Sequence, residues 1–483
     1  MKKLMIKLQL ILGVLLTSSL CLANTTYTSE RESLIEEIIA SNPSHNWEVT
    51  LEELLLPRTL YTLESTSTLS SRLSLYERNL VLSPHTNYTL TSSSPLGTST
   101  LGRWFYDSPL TNANIRFAPF EVQFSLTTPY CGINRRISVE TVDFKDTTPV
   151  RLLSIGDSIT RMGGYVEQVQ NVLPNTATVG TISYANEKIA REGRGGWTLK
   201  KYFTYIGSSD NLDSPFLFPT TVSGTHYKGN TADWKKVINA SATDITYGGL
   251  QKMARGWQDT GNYLYDQNGY YISPEIGDVM VDPSLPLGTQ WIEWNGSTWV
   301  PLKEQPTSFE VNFTKYMERF KAAYPNGAPT HVSILLGAND FGTYDTLLDM
   351  PGFLSYLETL IASIHNYDES IKIILCTPTL SPNENLVTSD KERYQRYNRN
   401  MKLATHYLLE KYDNDASLAH HIYIAPLTLT LDTTNGFNFA ITESIINGIT
   451  TQETKATEDI HPNSLGHQQM GNTLAAVIQK FRS

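Results

Sequence analysis

The chain is expected to fold as an α/β protein with a parallel sheet, preceded by a small all-β sandwich. Three observations predict this. From Val150 onward, short apolar runs alternate with amphipathic stretches of helical length. Before Val150 the texture is rich in Ser and Thr, with short period-two runs. Between the two, the apolar run Val150-Arg151-Leu152-Leu153-Ser154-Ile155 leads into Gly156-Asp157-Ser158-Ile159. A serine there sits on the sharp turn between a buried strand and a helix. Such alternation implies a three-layer α/β/α arrangement, with the site at the carboxyl ends of the strands.

At 483 residues the chain is too long for one small domain. Residues 1–23 read as a secretory signal: Lys2, Lys3 and Lys7 precede the apolar stretch Leu8 to Leu22, and Cys21 and Ala23 suit a cleavage site. The mature chain is expected to begin near Asn24 and to be secreted or periplasmic. The apolar stretch is short for a membrane span, and no other segment approaches one.

Residues 24–148 form the expected sandwich domain. A short helix at Glu30 to Ile39 opens it, and Phe120–Leu126 and Ile137–Val142 read as half-exposed strands. Asp143 to Pro149 is the joint.

Residues 149–483 carry the α/β pattern. Its predicted strands are Arg151–Ile155, Ala177–Ile182, His331–Leu336, Ile371–Thr377 and His421–Ala425. Its predicted helices are Tyr165–Val172, Phe309–Ala323, Phe353–Asn366, Lys391–Lys411 and Leu465–Phe481. The stretch from about Tyr205 to Gln305 breaks the alternation and reads as an aromatic-rich insertion. Hairpins are expected there around Asp266-Gln267-Asn268-Gly269 and Asn295-Gly296.

The net charge of −10 argues against nucleic acid as a partner. No Cys/His cluster has zinc-ligand spacing, and no phosphate loop or dinucleotide fingerprint occurs, so neither metal nor cofactor is expected. Beyond the signal, Cys131 and Cys376 could pair in an oxidising compartment or remain two buried thiols.

Ester hydrolysis through an acyl intermediate requires a hydroxyl nucleophile, a neutral imidazole and donors aimed at the oxyanion. Ser158 is the candidate nucleophile and His461, in Asp459-Ile460-His461-Pro462, the candidate base. Asp459 lies two residues before His461, a spacing expected to let its carboxylate fold back and orient the ring. The backbone N–H of Ser158, a glycine N–H in Gly193-Arg194-Gly195-Gly196-Trp197-Thr198 and the side-chain amide of Asn339 are the candidate oxyanion donors.

In this order the motifs resemble the SGNH (GDSL-type) hydrolase superfamily. Gly156-Asp157-Ser158-Ile159 is similar to its first block and Gly196-Trp197-Thr198 to its second. Gly337-Ala338-Asn339-Asp340 is similar to the third and Asp459-Ile460-His461-Pro462 to the last. The resemblance covers roughly Val150 to Ser483, the insertion excepted, and Ile159 stands where the family has Leu. It implies a flavodoxin-like α/β/α fold and a serine esterase mechanism without a metal, and it picks Gly196 as the oxyanion glycine.

The string Glu192 to Thr198, with Ser214-Pro215-Phe216 downstream, resembles the branch that removes acetyl groups from polysaccharides. That implies an acetylated glycan as substrate. Trp197 and Arg194 lie close to the expected site and could contact it. Trp291 and Trp294, with Trp299, Tyr263, Tyr270 and Tyr271, form either a sugar-stacking platform or the core of the insertion. The rival readings are a carbohydrate-binding or adhesion protein on an inert hydrolase scaffold, a peptidoglycan O-acetylesterase and a lipase.

Overall fold

A computed structural model of the chain describes residues 54–82, 88–109, 118–127, 132–182, 188–206, 214–222, 226–230, 264–265, 271–272, 275–282, 285–320, 324, 326–342, 349–446 and 449–483. The expected signal segment, the helix at Glu30 to Ile39, Cys131, Tyr263 and Tyr270 lie outside the described residues.

The α/β region is built on β8 (Val150–Gly156), and every neighbouring strand runs parallel to it or to its neighbours. On one side β8 pairs directly with two strands, β9 (Thr176–Val179) along Val150–Leu153 and β10 (Glu192–Gly193) at Ile155–Gly156. On the other side follow β19 (His331–Leu335), β20 (Lys372–Cys376) and β21 (Ile422–Ala425).

Alternation along these strands sends side chains into two cores. Leu153, Ile155, Val332, Ile334 and Ile373 pack on one face with α5 (Phe313–Arg319), α7 (Met350–Tyr367) and α8 (Lys391–Tyr412). Leu152, Leu335, Ile374 and Cys376 pack on the other with α3 (Gly164–Val172) and α11 (Ser464–Lys480). This is the expected three-layer sandwich. Cys376 is a buried free thiol within it.

Two elements differ from the sequence reading. The single helix expected over Phe309–Ala323 is a strand, β18 (Phe309–Val311), followed by α5. Asn312 separates them: its side chain accepts a hydrogen bond from the Lys315 N–H at 2.9 Å and caps the helix there. The second strand ends at Val179 because Gly180, at φ +146°, lies against the Arg191 backbone. A Cβ at Gly180 would stand 2.6 Å from the Arg191 carbonyl carbon.

In the N-terminal region β1 (Thr59–Leu63), β7 (Gly132–Val142), β6 (Phe120–Thr127) and β3 (Thr89–Ser93) form one sheet in that order. A second holds β2 (Arg72–Tyr76), β5 (Arg103–Asp107) and β4 (Thr98–Thr100). Their inner faces share one core, with Trp104 edge-on to Phe124 and Tyr106 edge-on to Phe120.

These sheets are joined to the α/β region. Leu429, from α10 (Leu427–Thr430), enters the sandwich core, and Leu63 enters the core under α3 and α11. After β2, the turn α1 (Glu77–Leu80) presents Asn79, which donates to the Thr428 and Leu431 carbonyls at 3.0 and 2.8 Å. The Lys402 ammonium on α8 donates to the Val81 carbonyl at 2.9 Å. The Asp143 to Pro149 joint is tied to the last helix, since Gln479 donates to the Asp143 and Asp146 carbonyls at 3.0 and 2.8 Å.

The described part of the insertion contains the strand pairs β11 (Leu217–Pro219) with β18 and β13 (Leu264–Tyr265) with β14 (Tyr271–Ile272). It also holds a sheet of β12 (Tyr227–Asn230), β15 (Val279–Val281), β16 (Trp291–Trp294) and β17 (Trp299–Pro301). Both expected hairpins flank their turn motifs, in β13–β14 and β16–β17. A long antiparallel hairpin that the sequence reading did not anticipate, β22 (Phe439–Ile446) with β23 (Ile449–Ala456), precedes the last motif. Among the described residues no helix is long and apolar enough to cross a membrane.

Candidate active site

Ser158 stands at the first position of α2 (Ser158–Met162), directly past the carboxyl end of β8. The turn tolerates only glycine at 156: a Cβ there would lie 2.0 Å from Thr160 Oγ1 and 2.5 Å from the Leu335 carbonyl. Asp157 caps the helix, its Oδ1 accepting from the Ile159 N–H at 2.9 Å. Ser158 is left half-buried, so its hydroxyl can be reached.

The imidazole of His461 meets that hydroxyl across 303 residues of sequence, with Nε2 2.8 Å from Ser158 Oγ. Its Nδ1 lies 3.1 Å from the Glu458 carbonyl. That carbonyl is an acceptor only, so Nδ1 carries the proton and Nε2 is free to accept from the serine. A tight turn makes this geometry, because the His461 N–H also donates to the Glu458 carbonyl, at 3.0 Å. The first central residue of the turn, Asp459, has φ +56°.

Here the sequence reading needs correcting. The Asp459 carboxylate does not orient His461. Its Oδ2 pairs with Arg393 Nη2 at 2.5 Å and its Oδ1 accepts from the Tyr394 hydroxyl at 3.0 Å, both on α8. The left-handed backbone at Asp459 directs the side chain to α8, while the preceding carbonyl faces the ring.

Strand register brings the other two motifs to the same edge. Gly193 pairs with Gly156, and Leu335 pairs with Gly156 on the other side. Gly193 must be glycine, since a Cβ would lie 2.2 Å from the Arg161 backbone nitrogen at the close crossing with α2. Beyond it, Gly196 is exposed at φ +70°, and its carbonyl accepts from Lys201 Nζ at 2.7 Å.

Asn339 lies in α6 (Ala338–Phe341), entered through Gly337 at φ +124°. Its amide Nδ2 donates to the Trp197 carbonyl at 3.1 Å, joining the second and third motifs. Asp340 Oδ1 accepts from the Leu199 N–H at 2.8 Å and fastens the same two loops. Burial pushes the Asp340 carboxyl up to about 7. Burial, helped by the neighbouring charge of Asp340, does the same to Asp157.

The four expected substrate-contacting side chains are interior, which is the second correction. Trp197 packs edge-on against Tyr202 and Tyr205, with ring centroids 5.0 and 5.2 Å away. Arg194 is 3% exposed, bonded to the buried Glu192 at 3.1 Å, and stacked over Trp197. Trp291 packs on Tyr227 and Phe309, and Trp294 on Trp299. Trp291 and Trp294 are 7% and 8% exposed, so they build the core of the insertion instead of a platform. Their bulk is needed there, because a small four-stranded sheet has little else to bury.

Sequence reasoning missed Glu458, Arg393, Tyr394 and Lys201. Glu458, immediately before the last motif, and Lys201, four residues past Trp197, were within reach of a motif-based search.

A serine on the strand-to-helix turn of a parallel α/β sheet, bonded to an imidazole from the turn before α11, defines a serine hydrolase. The chain belongs to the GDSL-like Lipase/Acylhydrolase family, whose description matches residues 152–474. The protein therefore acts on carboxylic ester bonds. No curated protein matches it. Among solved structures it is similar to a possible lipase from Chitinophaga pinensis DSM 2588. That match has 12% identity and a TM-score of 0.29, and covers 69% of this chain and 99% of that one. It is also similar to a family 123 glycoside hydrolase from Clostridium perfringens. There the identity is 10% and the TM-score 0.16, with 90% and 97% covered.

Proposed function

We propose that the protein is a secreted esterase that removes short acyl groups, above all acetyl, from a polysaccharide. The observation that carries the catalytic part is the 2.8 Å contact between His461 Nε2 and Ser158 Oγ. Ser158 Oγ attacks the ester carbonyl as its proton passes to Nε2. The Nδ1–H bond to the Glu458 carbonyl keeps the ring in the accepting tautomer. The N–H groups of Ser158 and Gly196 and the amide of Asn339 stabilise the oxyanion. The protonated imidazole then returns the proton to the leaving alcohol. Water, activated by the same ring, releases the acid and restores the serine.

The acetyl-glycan substrate rests on the motif string Glu192 to Thr198, and secretion on the charged and apolar pattern of residues 1–23. A lipase reading has one observation in its favour. Met162, one turn after Ser158, and Leu465, four residues after His461, are both large, apolar and well exposed. Acyl-chain length decides between the two. Activity on p-nitrophenyl esters that falls steeply beyond acetyl, with acetate released from acetylated xylan, mannan or pectin, supports the proposal. Release from peptidoglycan alone moves the substrate to the cell wall. Equal or greater turnover of long chains supports the lipase reading. Retention of glycan without any acetate release would mean a binding protein. Amino-terminal sequencing of the exported protein, expected to start near Asn24, tests secretion.

A further inference from the structure

We propose that Asp459 is a positioning residue: clamped by Arg393 and Tyr394, it holds the turn whose main-chain carbonyl orients His461. The inference rests on the reading of His461 as the base.

Both carboxylate oxygens of Asp459 are engaged away from the ring, Oδ2 with Arg393 at 2.5 Å and Oδ1 with Tyr394 at 3.0 Å. The ring nitrogen that a triad carboxylate would serve is occupied by the Glu458 carbonyl at 3.1 Å. Asp459 also has the left-handed backbone that the turn requires, φ +56°, which Asp and Asn adopt more readily than most residues.

The surroundings make this a built arrangement. Upstream, β23 is stitched to the loop before α8, where the Thr388 N–H donates to the Thr454 carbonyl at 2.9 Å. Thr454 N–H returns a bond to Thr388 Oγ1 at 2.8 Å. Downstream, the Asn463 N–H donates to the Gly436 carbonyl at 2.8 Å, and the Asn463 side chain caps α11. The clamp residues sit in the first turn of α8. That helix is rooted in the core by Tyr397 and Met401, and reaches the sandwich through Lys402. The residues from 458 to 461 are thus suspended between two fixed ends, and Asp459 fixes the middle.

The test compares Asp459→Asn, Asp459→Ala, Arg393→Met, Arg393→Lys and Tyr394→Phe with wild type on p-nitrophenyl acetate, with melting temperature measured for each. A triad carboxylate changed to its amide costs roughly 10⁴-fold in kcat, because the ring takes the wrong tautomer. Here Asp459→Asn is expected to cost roughly tenfold or less, since the lost ion pair is partly exposed. Asp459→Ala and Arg393→Met are expected to lower kcat further, with KM and melting temperature nearly unchanged. Arg393→Lys is expected to recover part of that loss. A 10⁴-fold loss in Asp459→Asn, with Arg393→Met near wild type, would overturn the clamp. The base assignment is tested separately by His461→Ala. Activity surviving that change removes the reading beneath the inference, whereas loss in His461→Ala leaves the Asp459 comparison to decide it.

Discussion

The loop that carries Ser158 and the turn that carries His461 deliver two halves of one reaction by different physical means. The nucleophile loop is held by steric exclusion. Gly156 and Gly193 bring three backbones so close that no side chain fits, and parallel register with β10 and β19 fixes the rest. The base turn is held by polar contacts at the surface: a main-chain carbonyl on the ring and a partly exposed clamp to α8. Steric positioning is local and unforgiving, whereas polar positioning is long-range and graded. The two should therefore fail differently under mutation.

The largest effect belongs to the reacting groups themselves. Ser158→Ala and His461→Ala are each expected to reduce kcat by roughly 10⁴- to 10⁶-fold, and the double variant by no more than either single one. Steady-state rates on p-nitrophenyl acetate check this, and losses that multiply would break the link between the two regions. Asn339→Ala comes next, at about 10²- to 10³-fold in kcat with KM little changed. Because Asn339 also ties the second motif to the third, a rise in KM of the same size would show that it serves the loop and not the oxyanion.

A third expectation concerns pH and the wall behind the base turn. His467, packed under Gly164, is buried, and among the described residues neither of its ring nitrogens has a hydrogen-bond partner. Burial, with the charge of His461 adding to it, lowers its pKa to about 4. The unfolded chain takes up this proton near the ordinary value of 6.5 and the folded chain refuses it until about 4. Stability is thus complete above pH 6.5 and declines as pH falls towards 4, by roughly 3 kcal/mol from this group. His467→Leu is expected to flatten the loss of melting temperature over that window. An unchanged slope would mean that other groups carry it.

The smallest effect sharpens the contrast most. Gly193→Ala is expected to cost about 1–3 kcal/mol of stability and to lower kcat together with melting temperature, because α2 must shift to admit the methyl group. Changes in the base turn should lower kcat and leave the melting temperature in place. If both regions lost stability alike, the distinction drawn between them would fail.

That contrast also explains what could be read from the sequence. Five strands of the sheet were visible as apolar runs, and Ser158, Gly196 and Asn339 stand within four residues of strand ends, where backbone geometry is set by neighbours in the chain. His461 was legible from its motif. Its orienting group was not, because spacing alone cannot say whether the carbonyl before Asp459 or the carboxylate on it faces the ring. Arg393 and Tyr394 lie more than sixty residues from Asp459, and nothing in their own segment announces the pairing. Trp291 and Trp294 were visible as an aromatic cluster, but a platform and a core share that composition. Only the pairing of β15, β16 and β17 decides which way the rings turn.

The most direct measurement is covalent trapping by a fluorophosphonate, which captures a serine activated by a neighbouring imidazole. Mass spectrometry of the labelled protein should find a single adduct on the peptide containing Ser158, formed in wild type and lost in His461→Ala. An adduct on another serine, or undiminished labelling of Ser158 without His461, would contradict the pairing on which the enzyme's chemistry is built.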